Sequence, residues 1–428
     1  MAGVIDIVNY VLPTSGGGSD SVSLNTNKFL GYTPKAVICY GTSSDGDSDG
    51  VANFAILPIG FWVNGTNYHA GCSMDNAVIT ANTERWHGND RICLSRGNGT
   101  TFYSLSVASV SANTINLTIH DYPAASKRIF FVAIGGDDDV DVELGSFAIN
   151  AGTGNQTVNL VDSGLLPDFG LFISARKSGG LAATSVSNNA VFSYGFGVGS
   201  GSGNYVSCLV SDDGTTGSDS YKGSRNTNCV DFRDADTSDN GYGSVSFNTG
   251  QIIFNRGQAF GNTYEVIYLV VKGFHAKAGN YTRPSSAGSY DHTGLTSFKP
   301  TFGFFINGGH VTSFAWGSGN AVIFHGVDDG DANRASYGVT DNNLANPTET
   351  RNRNNTTYSM VRHGADTPNN ISCQSYVSAW LSTGMTKYYA SADGFEDGYL
   401  LIRPKIMPAE MDRSIYRGAG RGILRGVL

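Results

Sequence analysis

Residues 165–173 read LLPDFGLFI: a proline, one acidic residue, then a run of aromatic, aliphatic and small residues. A related stretch, LGYTPKAVIC, begins at Leu30, and another, SFKPTFGFFI, begins at Ser297. Their prolines, Pro34, Pro167 and Pro300, are spaced 133 residues apart in both intervals. Like stretches at equal spacing are the mark of an internal repeat, and missing one misassigns the whole fold. Proline lacks a donor and is tolerated at the first residue of a strand, so the three prolines are expected at equivalent strand starts.

Working outward, other blocks recur in the same order. One reads NFAILPIGFWVNG from Asn53, NAVFSYGFGVGSG from Asn189 and NAVIFHGVDDG from Asn320. The next reads NYHAGCSMD from Asn67, NYVSCLVSDD from Asn204 and SYGVTDNN from Ser336. A closing strand is legible as RIFFVAIGG, EVIYLVVKG and GYLLIRPK, from Arg128, Glu265 and Gly398. Cys72 and Cys208 lie 136 residues apart, as do Cys93 and Cys229, and the third counterpart of the second pair falls near Met360. The pattern divides the chain into an N-terminal arm, 1–21, three repeats at 22–150, 151–284 and 285–405, and a tail, 406–428.

The class of fold follows from composition and period. The chain holds 428 residues with 56 glycines, 11 prolines, 21 tyrosines and 23 phenylalanines, and only 15% are charged. Short alternating runs bounded by Gly, Asn, Asp and Ser predominate, without stretches of helical apolar spacing. The expectation is all-β: three tandem β-sandwich repeats of jelly-roll-like type with extended terminal arms. The opening MAGVIDIVNYVLPTSGGGSD has no basic region and no long apolar core, so it does not read as a secretory signal. No run approaches the roughly 20 apolar residues of a membrane helix, so no membrane insertion is expected. The net charge of −8 gives no support for nucleic-acid binding.

The six cysteines admit disulfides, but Met360 near the third equivalent place favours buried thiols, because methionine fills an apolar slot and cannot cross-link. Cys93, Cys229 and Met360 are therefore expected at equivalent buried places. The long polar stretches 211–228 and 340–357, with the glycine-rich 195–204, are expected as surface loops.

Motifs that carry chemistry are few. DGDSDG, at 45–50, opens like a calcium loop, but the twelfth position, where an EF-hand has glutamate, is Ile56. A solvated acidic turn and a Ca2+ site built from Asp45, Asp47 and Asp49 with a neighbouring loop are the two readings, and no other cofactor is implied. The eight histidines are scattered without H-E-x-x-H, and neither G-x-S-x-G nor a P-loop occurs. GFGVGSG at 195–201 has no helix after it and is not a dinucleotide fingerprint. Trp62 and Trp380 sit in apolar runs and read as core. Trp86, in NTERWHGND, is flanked by polar residues and is the candidate surface aromatic for a ligand. In the tail, Arg417, Arg421 and Arg425 each precede a glycine at four-residue spacing, which suggests an assembly contact to acidic or carbonyl groups of another subunit.

Tandem Gly- and Asn-rich β-repeats, the missing catalytic motif and the Arg–Gly tail together resemble virion structural proteins of tailed bacteriophages. The resemblance implies a non-enzymatic decoration, tail or fibre component, made in the host cytoplasm and located in the virion. Its partners would be other virion proteins and further copies of itself. The alternative is a receptor- or glycan-binding adhesin that meets a host surface glycan through long loops.

Overall fold

The computed structural model describes residues 3–405, except 25, 30–31, 42–53, 182–183, 200–202, 217–218, 233–240, 309–315, 319, 332, 343–344, 346–347 and 364–370. The described chain is almost entirely antiparallel β-structure, with a single helical turn at Thr26–Phe29.

Three large sheets carry the fold. Large sheet I runs, in spatial order, Val4–Leu12, Lys127–Gly135, Pro34–Tyr40, Phe54–Val63, Thr66–Asp75, Thr83–Gly88 and, from the second stretch of chain, Ser185–Asn188. Large sheet II runs Asp141–Ala148, Glu265–Lys272, Phe169–Ser174, Ala190–Val198, Asn204–Ser211, Ser220–Arg225 and, from the third stretch of chain, Trp316–Ser318. Large sheet III runs Phe274–Thr282, Glu396–Pro404, Phe302–Asn307, Ala321–Asp328, Arg334–Asp341 and Thr350–Asn355. Each is accompanied by a four-stranded small sheet: Ser19–Ser23, Thr114–Asp121, Thr100–Ser111 and Cys93–Gly97 for the first. The second comprises Gly152–Asn159, Gln251–Phe260, Gly241–Asn248 and Val230–Phe232, and the third Gly288–His292, Gly384–Ser391, Ile371–Leu381 and Met360–His363.

Consecutive strands are mostly hydrogen-bonded neighbours, and the first and last strands of each large sheet's stretch of chain pair with each other. This is a meander closed by its ends and not the expected jelly roll, in which successive strands alternate between sheets. The pairing also corrects the boundaries read from sequence. Val4–Leu12 belongs to large sheet I and is no separate arm, Asp141–Ala148 pairs with Glu265–Lys272, and Phe274–Thr282 pairs with Glu396–Pro404. These opening strands find their partners more than 100 residues later in the chain, which no local pattern announces.

The prolines lead corresponding strands: Ala36, Phe169 and Phe302, each two residues after its proline, pair with Ile134, Val271 and Ile402 of the closing strands. The strands they lead are apolar on both faces for a reason. Ile38, Leu171 and Phe304 enter one central cluster shared by all three large sheets. Their neighbours point the other way: Val37 and Cys39 pack with Leu105 and Leu117 of the first small sheet, Phe172 with Val245 and Phe254 of the second, and Phe305 with Val377 and Met385 of the third. A sheet buried on both sides reads as a continuous apolar run and loses the alternation of a half-solvated one.

Close approach of the sheets requires glycine at one place in each large sheet. A Cβ on Gly60, Gly195 or Gly326 would fall on the carbonyl oxygen of Ile92, Cys229 or Ser359 respectively, where the chain enters the small sheet. This shared landmark corrects the cysteine register. Cys229 occupies the place of Ile92 and Ser359, while Cys93 corresponds to Val230 and Met360, each paired at the start of a small-sheet strand. Cys72 faces the central cluster, where its counterpart is Leu209 and not Cys208. A slip of one residue moves a side chain to the opposite face. All six cysteines are buried free thiols, as the Met360 argument expected.

The polar stretches expected as surface loops also contain strands. Ser220–Arg225 and Thr350–Asn355 lie inside the large sheets, and every residue of the second, TRNRNN, is buried. Composition misled because these strands lie where large sheets meet, and there polar side chains can be satisfied by hydrogen bonds instead of water.

The glycine contacts predict a sharp contrast in stability. Gly195→Ala should destabilise the protein by about 1–3 kcal/mol or more through overpacking. Gly17→Ala, in open space, should stay within about 0.5 kcal/mol. Urea denaturation midpoints of the two variants check this.

Candidate functional site

The three large sheets close on one another around a common centre. Thr83, Ser220 and Thr350 occupy the same place, each first in its strand and paired with Met74, Ser211 and Asp341. The Thr83 hydroxyl donates to the Ser211 carbonyl at 2.9 Å. The Ser220 hydroxyl donates to the Asp341 carboxylate, and the Thr350 hydroxyl donates to the Met74 carbonyl at 3.3 Å. Each bond runs from one sheet to the next, and the third returns to the first. Main-chain bonds between the preceding loops reinforce the ring: Ala81 N to Thr215 O and Gly214 N to Ala81 O at 2.8 Å, and Ala77 N to Thr348 O at 2.6 Å.

Inside the ring, Ile59, Tyr194 and His325 hold equivalent positions opposite Tyr40, Ile173 and Ile306. The Tyr40 and Tyr194 hydroxyls lie 2.8 Å apart. The His325 ring stacks on Tyr337 at 5.2 Å between centroids and sits 4.6 Å from Tyr194. Burial holds the imidazole neutral by lowering its pKa to about 3. Among the described residues, the rings packed on it are those of Tyr40, Tyr194 and Tyr337.

A second polar group is buried in the third pair of sheets. Arg283 makes ion pairs with Asp393 at 2.8 Å and Asp397 at 3.2 Å. Tyr281 donates to Asp397 at 2.8 Å and receives a bond from Lys387 Nζ at 2.8 Å. Burial lowers the Lys387 pKa, against the opposing charge of Asp397. A lysine of lowered pKa beside a tyrosine resembles proton-transfer machinery. Here the Arg283, Lys387 and Asp397 side chains are wholly buried, so the arrangement pins the two sheets together without meeting a substrate.

Clefts open where the large sheets meet. Between sheets III and I, a cleft of about 390 Å³ is lined by Lys28, Lys299, Pro300, Asp329, Asp331 and Trp380. Lys28 bonds Asp329 at 2.6 Å, and the Trp380 indole donates to the Asp329 carbonyl at 2.9 Å. Trp380, expected in the core, is thus half-buried at a cleft. Between sheets II and III, Pro167, Asp168, Phe274 and His275 line a smaller cleft, across which Lys405 meets Asp168 at 2.5 Å.

Trp86 is corrected. It is fully buried, packed with Ile56 and Leu94, and Gly71 leaves room for its ring. Its polar neighbours misled because Ser185–Asn188, contributed by the second stretch of chain, pairs along Thr83–Gly88 and covers that edge. Trp62 is core, as expected. Asp45, Asp47 and Asp49, and Arg417, Arg421 and Arg425, lie outside the described residues. Among the described residues no three His, Cys, Asp or Glu side chains gather as a metal group, and no helix is long and apolar enough to cross a membrane.

No family model matches the chain, and no curated protein matches it. Comparison with solved structures pairs it with the Ralstonia pickettii toluene transporter TbuX at 6% identity, over 95% of this chain and 88% of that one, with a TM-score of 0.09. The P. putida toluene transporter TodX is paired at 8% identity, over 94% and 89%, with a TM-score of 0.10. At such scores neither pairing carries an argument about fold or function.

Two predictions follow from the closed centre. Thr350→Val keeps the shape but leaves the Met74 carbonyl without this donor, and should lower stability by about 1–3 kcal/mol in urea denaturation. His325 titrates near 6.5 when unfolded and near 3 when folded. Its contribution is therefore complete above about pH 6.5 and is lost as pH falls toward 3. Between pH 7.5 and 5 the native protein should lose about 2 kcal/mol more stability than His325→Phe. Asp75, raised to about 7 by burial and by Glu84, acts in the opposite direction in both proteins and cancels in the comparison.

Proposed function

We propose that the chain is a non-enzymatic scaffold, three tandem copies of one β-sandwich unit closed into a ring, which serves as a structural component of a tailed-phage virion. The recurrent strand order and the matched Gly60, Gly195 and Gly326 contacts support the three-copy reading. The observation that carries the functional reading is the cyclic set of bonds from Thr83, Ser220 and Thr350. Three sheets that separate subunits would have to bring together by association are already joined on one chain, so the ring does not depend on protein concentration. A rigid part that must persist in a particle gains from that independence. Other virion proteins would be its partners, with Arg417, Arg421 and Arg425 as the proposed anchor.

Glycan binding is the second reading. It is favoured by the cleft of sheets III and I, where the half-buried Trp380 stands beside Asp329, Asp331 and Lys299. An aromatic face with polar groups at its edge suits a sugar ring.

Deleting 413–428 should leave a folded protein with an unchanged denaturation midpoint that no longer enters particles. Mass spectrometry of gradient-purified virions, comparing full-length and shortened chains, checks this. Absence of the full-length chain from particles, while it is abundant in the lysate, would overturn the structural reading. Saturable binding to host-surface glycans, lost in Trp380→Ala, would favour the second.

A further inference from the structure

Cys39 and Cys93 meet where large sheet I comes close to its small sheet. Cys39 pairs with Gly60 in the ladder. A Cβ on Gly60 would strike the Ile92 carbonyl, so the main chain just before Cys93 lies directly on that glycine. Gly41, two residues after Cys39, makes room for the second thiol: a Cβ there would come within 2.5 Å of Cys93 Sγ. Both thiols belong to the apolar cluster between the two sheets and are fully buried. They lie close enough for a hydrogen bond between them.

The other two units show what this place ordinarily holds. Phe172 and Phe305 correspond to Cys39, each opposite the matching glycine, Gly195 or Gly326. Val230 and Met360 correspond to Cys93. Phe172 and Val230 share the small-sheet cluster of the second unit, and Phe305 and Met360 that of the third. Of the three units, the first alone sets two thiols against each other here. Aromatic and aliphatic side chains serve the packing in the other two. Paired thiols add a capacity that those lack, the loss of two electrons and two protons to become a disulfide.

In the closed structure the pair is unreactive. Burial, and then Cys93, raises the Cys39 pKa well above its usual range, and the thiolate is the form that attacks a disulfide. Reaction therefore starts from a local opening. Cys93 is placed for it, as the first residue of Cys93–Gly97, an edge strand of the small sheet that pairs with Thr100–Ser111. Fraying of that end breaks few main-chain bonds, beginning with Ile92 N to Leu105 O at 3.0 Å. Cys39 stands on Pro34–Tyr40, which has a neighbouring strand on each side, and stays in place.

We propose that Cys39 and Cys93 form a redox-controlled cross-link, which a small-molecule disulfide closes and which fastens the first small sheet to large sheet I. The frayed Cys93 thiolate attacks one sulfur of the small disulfide and expels the other as a thiolate, which takes up a proton. As the strand settles back, Cys39 gives up its proton and its sulfur displaces the second small thiol from Cys93. One small disulfide is thereby reduced to two thiols, and the protein loses two hydrogen atoms. The bond ties residues 54 apart in sequence and so restricts the unfolded chain. The cross-link stands apart from the proposed place of the protein in a virion, and either can fail alone.

The full chain, first reduced and then held with oxidised glutathione in urea below its unfolding transition, tests the proposal. Its intact mass should fall by about 2 Da, the two hydrogens lost. Thiol titration after denaturation should find two of the six thiols consumed. Peptide mapping without reductant should join the Cys39 peptide to the Cys93 peptide. The urea midpoint should rise on oxidation and return with dithiothreitol. Cys93→Val, which borrows the side chain of the second unit, should abolish the mass change and the midpoint shift together. Should that variant fail to fold, the peptide map of the unaltered protein still decides. Six unchanged thiols, glutathione adducts without the internal bond, a bond joining any other pair of cysteines, a Cys39–Cys93 bond formed only in fully denatured chains, or a midpoint unmoved by oxidation overturns it.

Discussion

Everything in this fold depends on the inner strands of the large sheets, such as Pro34–Tyr40, Phe169–Ser174 and Phe302–Asn307, having no face left for water. One face of each lies against its own small sheet and the other against the two remaining large sheets. Burying a Leu, Ile or Phe side chain is worth about 1.5–3 kcal/mol, and the central cluster collects such residues from three sheets at once. A cluster of this kind is complete only when the third sheet meets the first. The return bond from Thr350 to Met74 therefore belongs to the same constraint as the apolar packing. Neither the core nor the ring can be disturbed without the other.

The same constraint decides where polar groups end up. At the meeting edges of the sheets, backbone and hydroxyl groups are cut off from solvent and must bond across the seam. The third pair of sheets takes a different course. Among the described residues its apolar cluster is smaller than the other two, and Arg283, Lys387, Asp393 and Asp397 occupy the interior. Burial alone would lower the Arg283 pKa, but Asp397 and Asp393 hold it above its usual range. Such a network adds little net stability over an apolar core, because desolvation offsets attraction. Its hydrogen bonds are directional, however, and fix one register between the two sheets where aliphatic contacts alone would allow sliding.

The legible part of the sequence was the part with the least freedom. The strands led by Pro34, Pro167 and Pro300, and the closing strands from Arg128 and Glu265, are buried on both faces, so they stand out as apolar runs. Between them, single-residue differences accumulate. The interval between corresponding residues of the first two stretches is 133 at the prolines, 135 from Gly60 to Gly195 and 137 from Ile92 to Cys229. The constant cysteine spacing of 136 fell inside this drift and matched residues on opposite faces. The site residues were less legible still. Trp86 looked exposed because its cover comes from a strand 100 residues away, and His325 has an unremarkable sequence context. Arg85 meets Arg176 and Lys177 only through pairing that no local pattern encodes. What could have been noticed is that TRNRNN and SYKGSR stand at the place where the first stretch carries TERWHG, which argues for a strand in all three.

Carrying the ring on one chain has a further physical consequence. In a ring of identical subunits, each side chain near the axis appears three times, so a charge or hydroxyl there meets two copies of itself. Here the equivalent positions are Ile59, Tyr194 and His325, and a hydroxyl can meet another hydroxyl or an imidazole within an otherwise apolar centre. The seams differ for the same reason. Sheets I and II gather Arg85, Arg176 and Lys177, sheets II and III join Asp168 to Lys405, and sheets III and I set Lys28 and Asp329 beside Trp380. Closure requires only the backbone, the hydroxyl bonds and the apolar faces to recur. The side chains that line the seams are released from that requirement, so each cleft can take a chemistry of its own while the ring that holds it stays the same.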